Sequence, residues 1–389
     1  MGGMWTGAGG RCRRSTRGTG LIGSSRRDMR RQGHQTFVDV LTRFAAGAAD
    51  ERLTAIAERV AAPLRVAVCG RRGVGCSTVA RAVNQAAIAS GIPAEVASPA
   101  PTNPAADPGG DVVDVVVHVT AEVVKPEDRQ AIQAIAAARR PILAVLNKAD
   151  LAGFTGDGPI ALARARCADF SALLGVPVEP MIGLLAVAAL DDRVDAASWA
   201  ALRALARGAP FEGSVDGFLA MDNPDNPVPT EVRRRLLDTL DLFGVALAVA
   251  ALRQDQTAAQ VRVLLRRVSG VDAVLDQVAA VGAEVHYRRV LDAVAELEAL
   301  AVSHGEISEF LSRDETVIAR MAAAVDLAES AGLEVGPCHD PAAHLSRALR
   351  WHRYSEGRLG PVTDVQRACG ADIARGSLRL WSQAGGESQ

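Results

Sequence analysis

The fold is decided by residues 64–78, which read Leu-Arg-Val-Ala-Val-Cys-Gly-Arg-Arg-Gly-Val-Gly-Cys-Ser-Thr. The first six residues form a short apolar run that predicts a β-strand, and the segment from Ser77 to about Ser90 predicts a helix. The three glycines between them can adopt positive φ angles and turn successive backbone N–H groups toward one point at the start of the helix. A strand, a glycine-rich loop and a helix in this order predict a phosphate-binding loop in an α/β domain.

The loop departs from its usual pattern at one position. Residues 70–77 follow the GxxxxGK[ST] spacing except at Cys76, which stands where the pattern has lysine. A thiol supplies no ammonium group to the β- and γ-phosphates, so we expect hydrolysis to suffer more than binding. Ser77 keeps the hydroxyl that contacts Mg²⁺ in such loops. Arg71 or Arg72 could fold back over the phosphates, although neither occupies the lysine position. The alternative is a structural turn without a ligand.

A second motif, Asn147-Lys148-Ala149-Asp150, follows the apolar run 141–146. That run predicts a buried parallel strand, so the motif lies at its carboxyl end, where open α/β sheets bind ligands. The Asp150 carboxylate can accept hydrogen bonds from the N1–H and N2–H₂ groups of guanine, whereas adenine has no matching pair of donors. Lys148 is one of only two lysines beside 41 arginines. A lysine retained against that composition strengthens the interpretation.

Residues 63 to about 210 resemble the G domain of translation-factor-type and dynamin-like P-loop GTPases, with a degenerate phosphate loop and a shortened switch region. The segment 111–119 is similar to the strand after switch II, and 122–129 to the loop and helix start that follow it. The resemblance implies GTP or GDP and Mg²⁺ as cofactors, with Ser77 as the metal ligand and no catalytic residue assigned. The expected nucleotide-binding residues are Gly70, Gly73, Gly75, Cys76, Ser77, Thr78, Asn147, Lys148 and Asp150.

Several features of the family are missing. About 33 residues separate Thr78 from Asp111, which is too few for both switch regions. The interval includes residues 99–108, which are rich in proline and predict an irregular loop. Residues 107–110 formally match the DxxG motif but run directly into the next strand, so we interpret them as a turn. The Ser-Ala pair expected near residues 177–183 is also absent. We therefore expect little or no turnover, because phosphoryl transfer depends almost entirely on positioning.

The rest of the chain predicts helices. Residues 222–229 contain three prolines among acidic and amide side chains and indicate a boundary. Amphipathic spacing on both sides of the G-like region predicts faces that bury each other. The predicted architecture is an α/β P-loop G domain with a mostly parallel sheet plus a C-terminal α-helical bundle. Its parts are a basic tail at 1–35, a helix at 36–62 packing with the helical domain, the G-like domain at 63–215, a linker at 216–229 and the helical domain at 230–389.

Composition narrows the remaining possibilities. A net charge of −2 predicts no specific nucleic-acid partner, although the first 34 residues carry eight arginines and one acid. That segment is either a basic tail or lies upstream of a translation start at Met29. Six cysteines without CxxC spacing and the absence of a long apolar run predict a cytoplasmic protein without disulfides. The arginine-rich stretch 347–358 leaves room for peripheral membrane contact, but a solvated amphipathic helix also explains it.

Three functions are compatible with these patterns. The first is a guanine-nucleotide-binding protein of dynamin-like kin, weak or inactive as a GTPase, which acts as a regulatory or scaffolding partner through its helical domain or by self-association. The second is an active GTPase in which another cation replaces the loop lysine. The third is a relic of the partitioning-type P-loop ATPases. A metal site at Cys338, His339, His344 and His352, and a catalytic role for His118, are weaker hypotheses than ordinary structural roles.

Overall fold

The computed structural model describes residues 32–97, 113–153, 159–191, 194–208, 214–220, 228–336 and 341–386. The expected loop at 99–108 and the 107–110 turn lie outside these ranges, as do Cys338, His339 and residues 1–31 of the expected tail. Residues 61–286 form one compact unit, and the segments up to Val60 and from Tyr287 onward form another. We call them the sheet unit and the helical unit.

The sheet unit contains five parallel strands in the order β2-β1-β3-β4-β5. Their bounds are β1 Leu64–Gly70, β2 Ala94–Ala97, β3 Val115–Ala121, β4 Ile142–Asn147 and β5 Val178–Pro180. The chain first moves from β1 to one side and then returns to the other, so the strand order reverses between β1 and β3. In open α/β sheets, ligands bind in the crevice at the carboxyl ends of the strands beside such a reversal.

Fifteen α-helices and one 3-10 turn accompany these strands within the described residues. The helices are α1 Gln32–Ala48, α2 Glu51–Ala61, α3 Cys76–Ala89, α4 Pro126–Ala137, α5 Pro159–Leu174, α6 Gly183–Leu190, α7 Ala196–Arg207, α8 Val215–Ala220, α9 Thr230–Leu252, α10 Ala258–Ser269, α11 Val271–Ala301, α12 Gly305–Ser312, α13 Asp314–Ser330, α14 Pro341–Ser355 and α15 Asp364–Gly386. The 3-10 turn is Ala149–Ala152. None of these helices has the length and apolar character needed to cross a bilayer.

The central strands follow directly from their sequence. Residues 115–120 and 142–147 are buried throughout, as expected of strands covered on both faces of a parallel sheet. The strands predicted from the runs 64–69 and 141–146 are confirmed, and so is the strand predicted after Asp111. The edge strand β2 was not predicted, because its four residues alternate only between half-buried and exposed positions.

Two helices that the sequence placed in the second domain complete the core of the sheet unit. Leu236 and Val245 of α9 and Leu265 of α10 are fully buried in the same cluster as Val116 and Leu146 of the sheet. The units therefore divide at residues 286 and 287 rather than at the expected linker 216–229. The physical reason is that the sheet and α6 leave an apolar face that these helices cover. The chain passes from one unit to the other within a helix, because α11 contains both residues 286 and 287.

The helical unit packs α1 and α2 with the helices after Tyr287. Phe37, Leu41 and Ile373 are fully buried in its core. The expected tail ended at residue 35, but α1 begins at Gln32, and the N–H of His34 donates to Asp326 Oδ2 at 3.0 Å. That contact fixes the first turn of the helix. The sequence-based boundary at 35 is therefore wrong.

Gly282 lies inside α11 and does not interrupt it. A Cβ atom at Gly282 would lie 2.5 Å from Leu64 Cδ1. Glycine is therefore required here for close packing against β1 rather than for a turn.

Candidate functional site

The predicted phosphate loop connects β1 to α3 at the edge of the sheet where the strand order reverses. Gly73 and Gly75 have φ angles of 89° and 90°, which other residues rarely adopt. A Cβ atom at Gly75 would approach Asn147 Nδ2 to 2.5 Å, and one at Gly70 would approach the Val119 carbonyl oxygen to 2.3 Å. The backbone thus keeps a shape that glycine alone permits, and its last glycine leads directly into the amino end of α3.

The side chains at the start of α3 match the expectations for a loop without its cation. Cys76 is half-buried, and burial raises the pKa of its thiol, with the carboxylate of Asp128 acting in the same direction. The thiol is therefore neutral at pH 7. Ser77 is exposed and Thr78 half-buried, so the hydroxyl expected to contact Mg²⁺ is accessible. Backbone N–H groups in the first turn of a helix have no intrahelical partners and favour anions.

The sequence did not identify Asp128 as the residue that anchors the loop. Its side chain is fully buried, and its two oxygens lie 3.0 and 2.9 Å from Arg71 Nε. His118 Nε2 lies 3.1 Å from Oδ1, and the backbone N–H of Lys125 donates to Oδ2 at 3.0 Å. Burial raises the pKa of this carboxyl, but the hydrogen bonds from His118, Lys125 and Arg71 outweigh it and lower the pKa to about 2.

The contacts of Asp128 show whether Arg71 anchors the loop or replaces the missing lysine. The Nε group of Arg71 binds the Asp128 carboxylate, so the guanidinium connects the phosphate loop to the first turn of α4. It is held at the side of the loop rather than free to take the position of the missing lysine. The signal in the sequence was weak, because an acidic residue in the first turn of a helix is usually explained by local contact with the N-terminal backbone N–H groups.

The second predicted motif contacts the loop directly. Asn147 Nδ2 donates to the Val74 carbonyl at 2.8 Å, and the N–H of Gly183 donates to Asn147 Oδ1 at 2.9 Å. Lys148 Nζ donates to the Gly73 carbonyl at 3.1 Å. The structure therefore brings together two segments that lie some 70 residues apart in the sequence. Asn147 holds three segments in register, namely the loop, the end of β4 and the start of α6.

Asp150 lies one turn further on, in the 3-10 turn, and is only 7% exposed. Burial raises the pKa of its carboxyl and the charge of Asp241 adds to this effect, whereas the hydrogen bond from its own backbone N–H and the charge of Lys148 oppose it. Within the described ranges, no other residue donates a hydrogen bond to this carboxylate. A buried carboxylate in that position is poorly stabilised by the protein itself. All nine predicted site residues thus lie at one edge of the sheet, on the loop, the start of α3 and the 147–150 segment.

The remaining candidates have structural roles. Cys69 Sγ lies 3.7 Å from His118 Nδ1, but Cys69 is 5% exposed and burial raises the pKa of its thiol to about 12, which excludes a thiolate nucleophile. Among the described residues, no group of three or more His, Cys, Asp and Glu side chains could hold a metal ion. His344 is buried with Nδ1 3.2 Å from Arg347 Nη2. Cys69, Cys76, Cys167 and Cys369 are free thiols.

Comparisons with known proteins add no family to this description. No protein-family model matches the chain, and a search of curated proteins finds no significant match.

Proposed function

We propose that the sheet unit binds a guanine nucleotide and hydrolyses it slowly or not at all. The observation that carries the proposal is the Asp150 carboxylate, which is 7% exposed and receives no hydrogen bond from another described residue. It belongs to a motif that is tied to the phosphate loop by Asn147 and Lys148. A buried carboxylate that accepts a hydrogen bond only from its own backbone N–H is costly, and the N1–H and N2–H₂ edge of guanine supplies two more donors. Adenine lacks this pair and would leave the charge unsatisfied.

Slow hydrolysis is proposed from the loop itself. Cys76 stands in the lysine position, and Arg71 is bound to Asp128. A positive side chain that contacts the negatively charged transferring phosphoryl group is worth on the order of 10³-fold or more in rate. The exposed Ser77 hydroxyl and the amino end of α3 still suit Mg²⁺ and phosphate. This arrangement supports nucleotide binding more than it supports turnover.

The proposal extends to the class of protein. The resemblance to G domains of the translation-factor and dynamin-like type supports a nucleotide-controlled regulator or scaffold, with the helical unit providing the contact to a protein partner or a second copy. Leu349 and Trp381, on α14 and α15, are 54% and 48% exposed and offer apolar area to such a contact.

The decisive experiment is isothermal titration of the full chain with GTP, GDP and ATP, each with and without Mg²⁺. We expect binding of GTP and GDP but not of ATP, loss of GDP binding in Asp150→Asn, and GTP hydrolysis near the background rate. Equal binding of ATP and GTP that ignores the Asp150 substitution would overturn the proposal. A preference for ATP would favour the ATPase alternative, and multiple turnovers of GTP would favour an active GTPase.

A further inference from the structure

The two arginines of the phosphate loop have different surroundings. Arg71 binds the buried carboxylate of Asp128 through Nε, at 3.0 and 2.9 Å from its two oxygens. Arg72, the next residue, is exposed, and within the described ranges no acidic side chain forms an ion pair with it. The loop therefore has one guanidinium whose charge is neutralised inside the protein and one whose charge is available to a ligand.

Arg72 lies at the tip of a turn. The N–H of Val74 donates to the carbonyl of Arg71 at 3.5 Å, which makes residues 72 and 73 the two central residues of a β-turn. Gly73 has a φ angle of 89°, a positive value of the kind that type II turns require at their third residue. A Cβ atom at Gly73 would have nothing within 4 Å. The tip therefore borders open space, and a ligand can reach Arg72 there without displacing protein atoms.

A second cation reaches the same turn. Lys148 Nζ donates to the carbonyl of Gly73 at 3.1 Å, so its ammonium group is held on the residue that follows Arg72. Lys148 is exposed, and although its charge acts on Asp150, it forms no ion pair with an acid in the described part of the chain. The first turn of α3, which begins three residues after Gly73, contains no acidic side chain. Two cations at one turn without a paired carboxylate create a positive potential that attracts a multivalent anion.

We propose that Arg72 contacts the terminal phosphate of a bound guanosine triphosphate, and that this contact makes the chain prefer the triphosphate to the diphosphate. The inference rests on the proposed guanine-nucleotide binding and extends it from the base to the phosphates. Lys148 belongs to the segment expected to hold the base, so Arg72 is the cation of this turn that remains for the phosphates. A guanidinium donates two parallel hydrogen bonds to a phosphate. Because Arg72 lies at the turn and not at the lysine position, we assign its charge to binding rather than to hydrolysis.

The test compares GDP, the non-hydrolysable guanosine 5′-(β,γ-imido)triphosphate and tripolyphosphate, which has no base, by isothermal titration of the full chain with Mg²⁺. Arg72→Ala removes the guanidinium, and Arg72→Lys keeps a positive charge without the paired donors. Arg203→Ala, at an exposed arginine on α7, removes the same charge outside the loop and is the matched control. Because Arg72 and Arg203 are exposed, all three variants should unfold at the temperature of the unmodified chain, which thermal unfolding checks.

We expect the unmodified chain to bind the triphosphate analogue about tenfold more tightly than GDP, the free-energy equivalent of one added hydrogen bond to a charged group. Arg72→Ala should remove most of this preference with little change in GDP affinity. Arg72→Lys should remove part of it, and Arg203→Ala should leave it intact. Tripolyphosphate affinity should fall by a similar factor in Arg72→Ala and stay nearly unchanged in Asp150→Asn, because this ligand has no base for Asp150 to recognise.

The same preference for the triphosphate in the unmodified chain and in Arg72→Ala would overturn this inference, as would equal binding of both nucleotides by the unmodified chain. If GDP binding then still depended on Asp150, the proposed function would stand without a role for Arg72. Binding of tripolyphosphate that depends on Arg72, together with no selectivity for guanine, would support the phosphate contact and overturn the proposed function. A chain that binds none of the three ligands would overturn both.

Discussion

The predicted phosphate loop and the Asn147–Asp150 segment meet at one edge of the sheet, but one matches its motif in backbone shape and the other in charge. The loop has the backbone shape of its motif, with Gly70 and Gly75 at contacts that exclude a side chain, but Cys76 stands where the motif has lysine. The 147–150 segment has the charge that its motif requires, with Asp150 buried and accepting no hydrogen bond from another described residue. The shape of the loop does not need the lysine, because Asn147 and Asp128 hold it from two sides. Shape and charge can therefore be lost independently, and substitutions can test each one.

The largest effect is expected at Asp128, whose carboxylate binds Arg71 and keeps the loop in its shape. Asp128→Ala leaves Arg71 and His118 without their buried anionic partner, and removal of one member of a buried ion pair costs about 3–5 kcal/mol. We expect a loss of this size in the free energy of unfolding, measured by urea denaturation. Glu127→Ala, at the exposed neighbouring position, should change stability by less than about 1 kcal/mol. A similar small loss for Asp128→Ala would show that the cluster is not what shapes the loop.

The same carboxyl predicts a pH dependence. The pKa of Asp128 is lowered from 3.8 to about 2 in the folded protein, so its ionisation contributes stability that is fully present above pH 3.8 and is lost as the pH falls toward 2. The contribution is about 2 kcal/mol. The stability difference between the unmodified chain and Asp128→Asn should therefore shrink across this window. A difference that is constant from pH 5 to pH 2 would contradict the assignment.

The next largest effect is expected on nucleotide affinity when the charge of Asp150 is removed. Asp150→Asn should weaken GDP binding by about 100-fold or more, because two hydrogen bonds to a charged acceptor are lost. Xanthosine diphosphate should gain affinity for this variant, since its C2 carbonyl suits the carboxamide. Burial raises the pKa of Asp150, so GDP affinity should begin to fall at a higher pH than for an ordinary aspartate. Titration with both nucleotides checks these outcomes, and failure of xanthosine diphosphate to gain would argue against base recognition by Asp150.

A smaller effect, on stability, is expected at Asn147, which joins the loop to the 147–150 segment. Asn147→Ala removes the partners of the Val74 carbonyl and the Gly183 N–H, both at buried contacts. Unsatisfied buried groups of this kind cost about 2 kcal/mol in total. Thermal unfolding should report that loss, whereas Asn84→Ala on α3 should be nearly neutral. If both variants were neutral, the loop and the 147–150 segment would be positioned independently of each other.

The sequence predicted the local features of this site better than its long-range ones. β1, β3, β4 and the start of α3 were predicted because valine-rich runs and glycine spacing are local signals. Asp128 was missed because its partners Arg71 and His118 come from other segments, and only folding brings them together. Asp241, with φ 58° and ψ 173°, interrupts α9, and this break was missed because the segment 230–252 has the pattern of one continuous helix.

The domain boundary was misplaced for a related reason. A proline-rich segment at 222–229 is a strong local signal for a loop, but it does not say which core the next helix joins. Leu236 and Leu265 are buried with the sheet because α6 and α7 leave an apolar face there, and amphipathic spacing alone cannot identify the surface that a helix will cover. Gly282 shows the same limit, since its role is set by Leu64, over 200 residues away.

The smallest effect is expected from placing a positive charge at position 76. Cys76→Lys places an ammonium group at the start of α3 in a loop whose glycines already have the required φ angles. If the loop still forms a phosphate-binding shape, one added charge contact should tighten GDP binding by about tenfold, the free-energy equivalent of a single hydrogen bond to a charged group.

Cys76→Ser, which changes the side chain without adding charge, controls for the loss of the thiol. Titration with GDP and with guanosine separates phosphate binding from base binding. The added lysine should raise the affinity for GDP, which has phosphates, and not the affinity for guanosine, which has none. A gain for GDP and none for guanosine would show that the loop lost its charge and kept its shape. No gain for either would mean that Arg71 and Asp128 now hold the loop as a structural turn, and that nucleotide affinity, where present, comes from the base site alone.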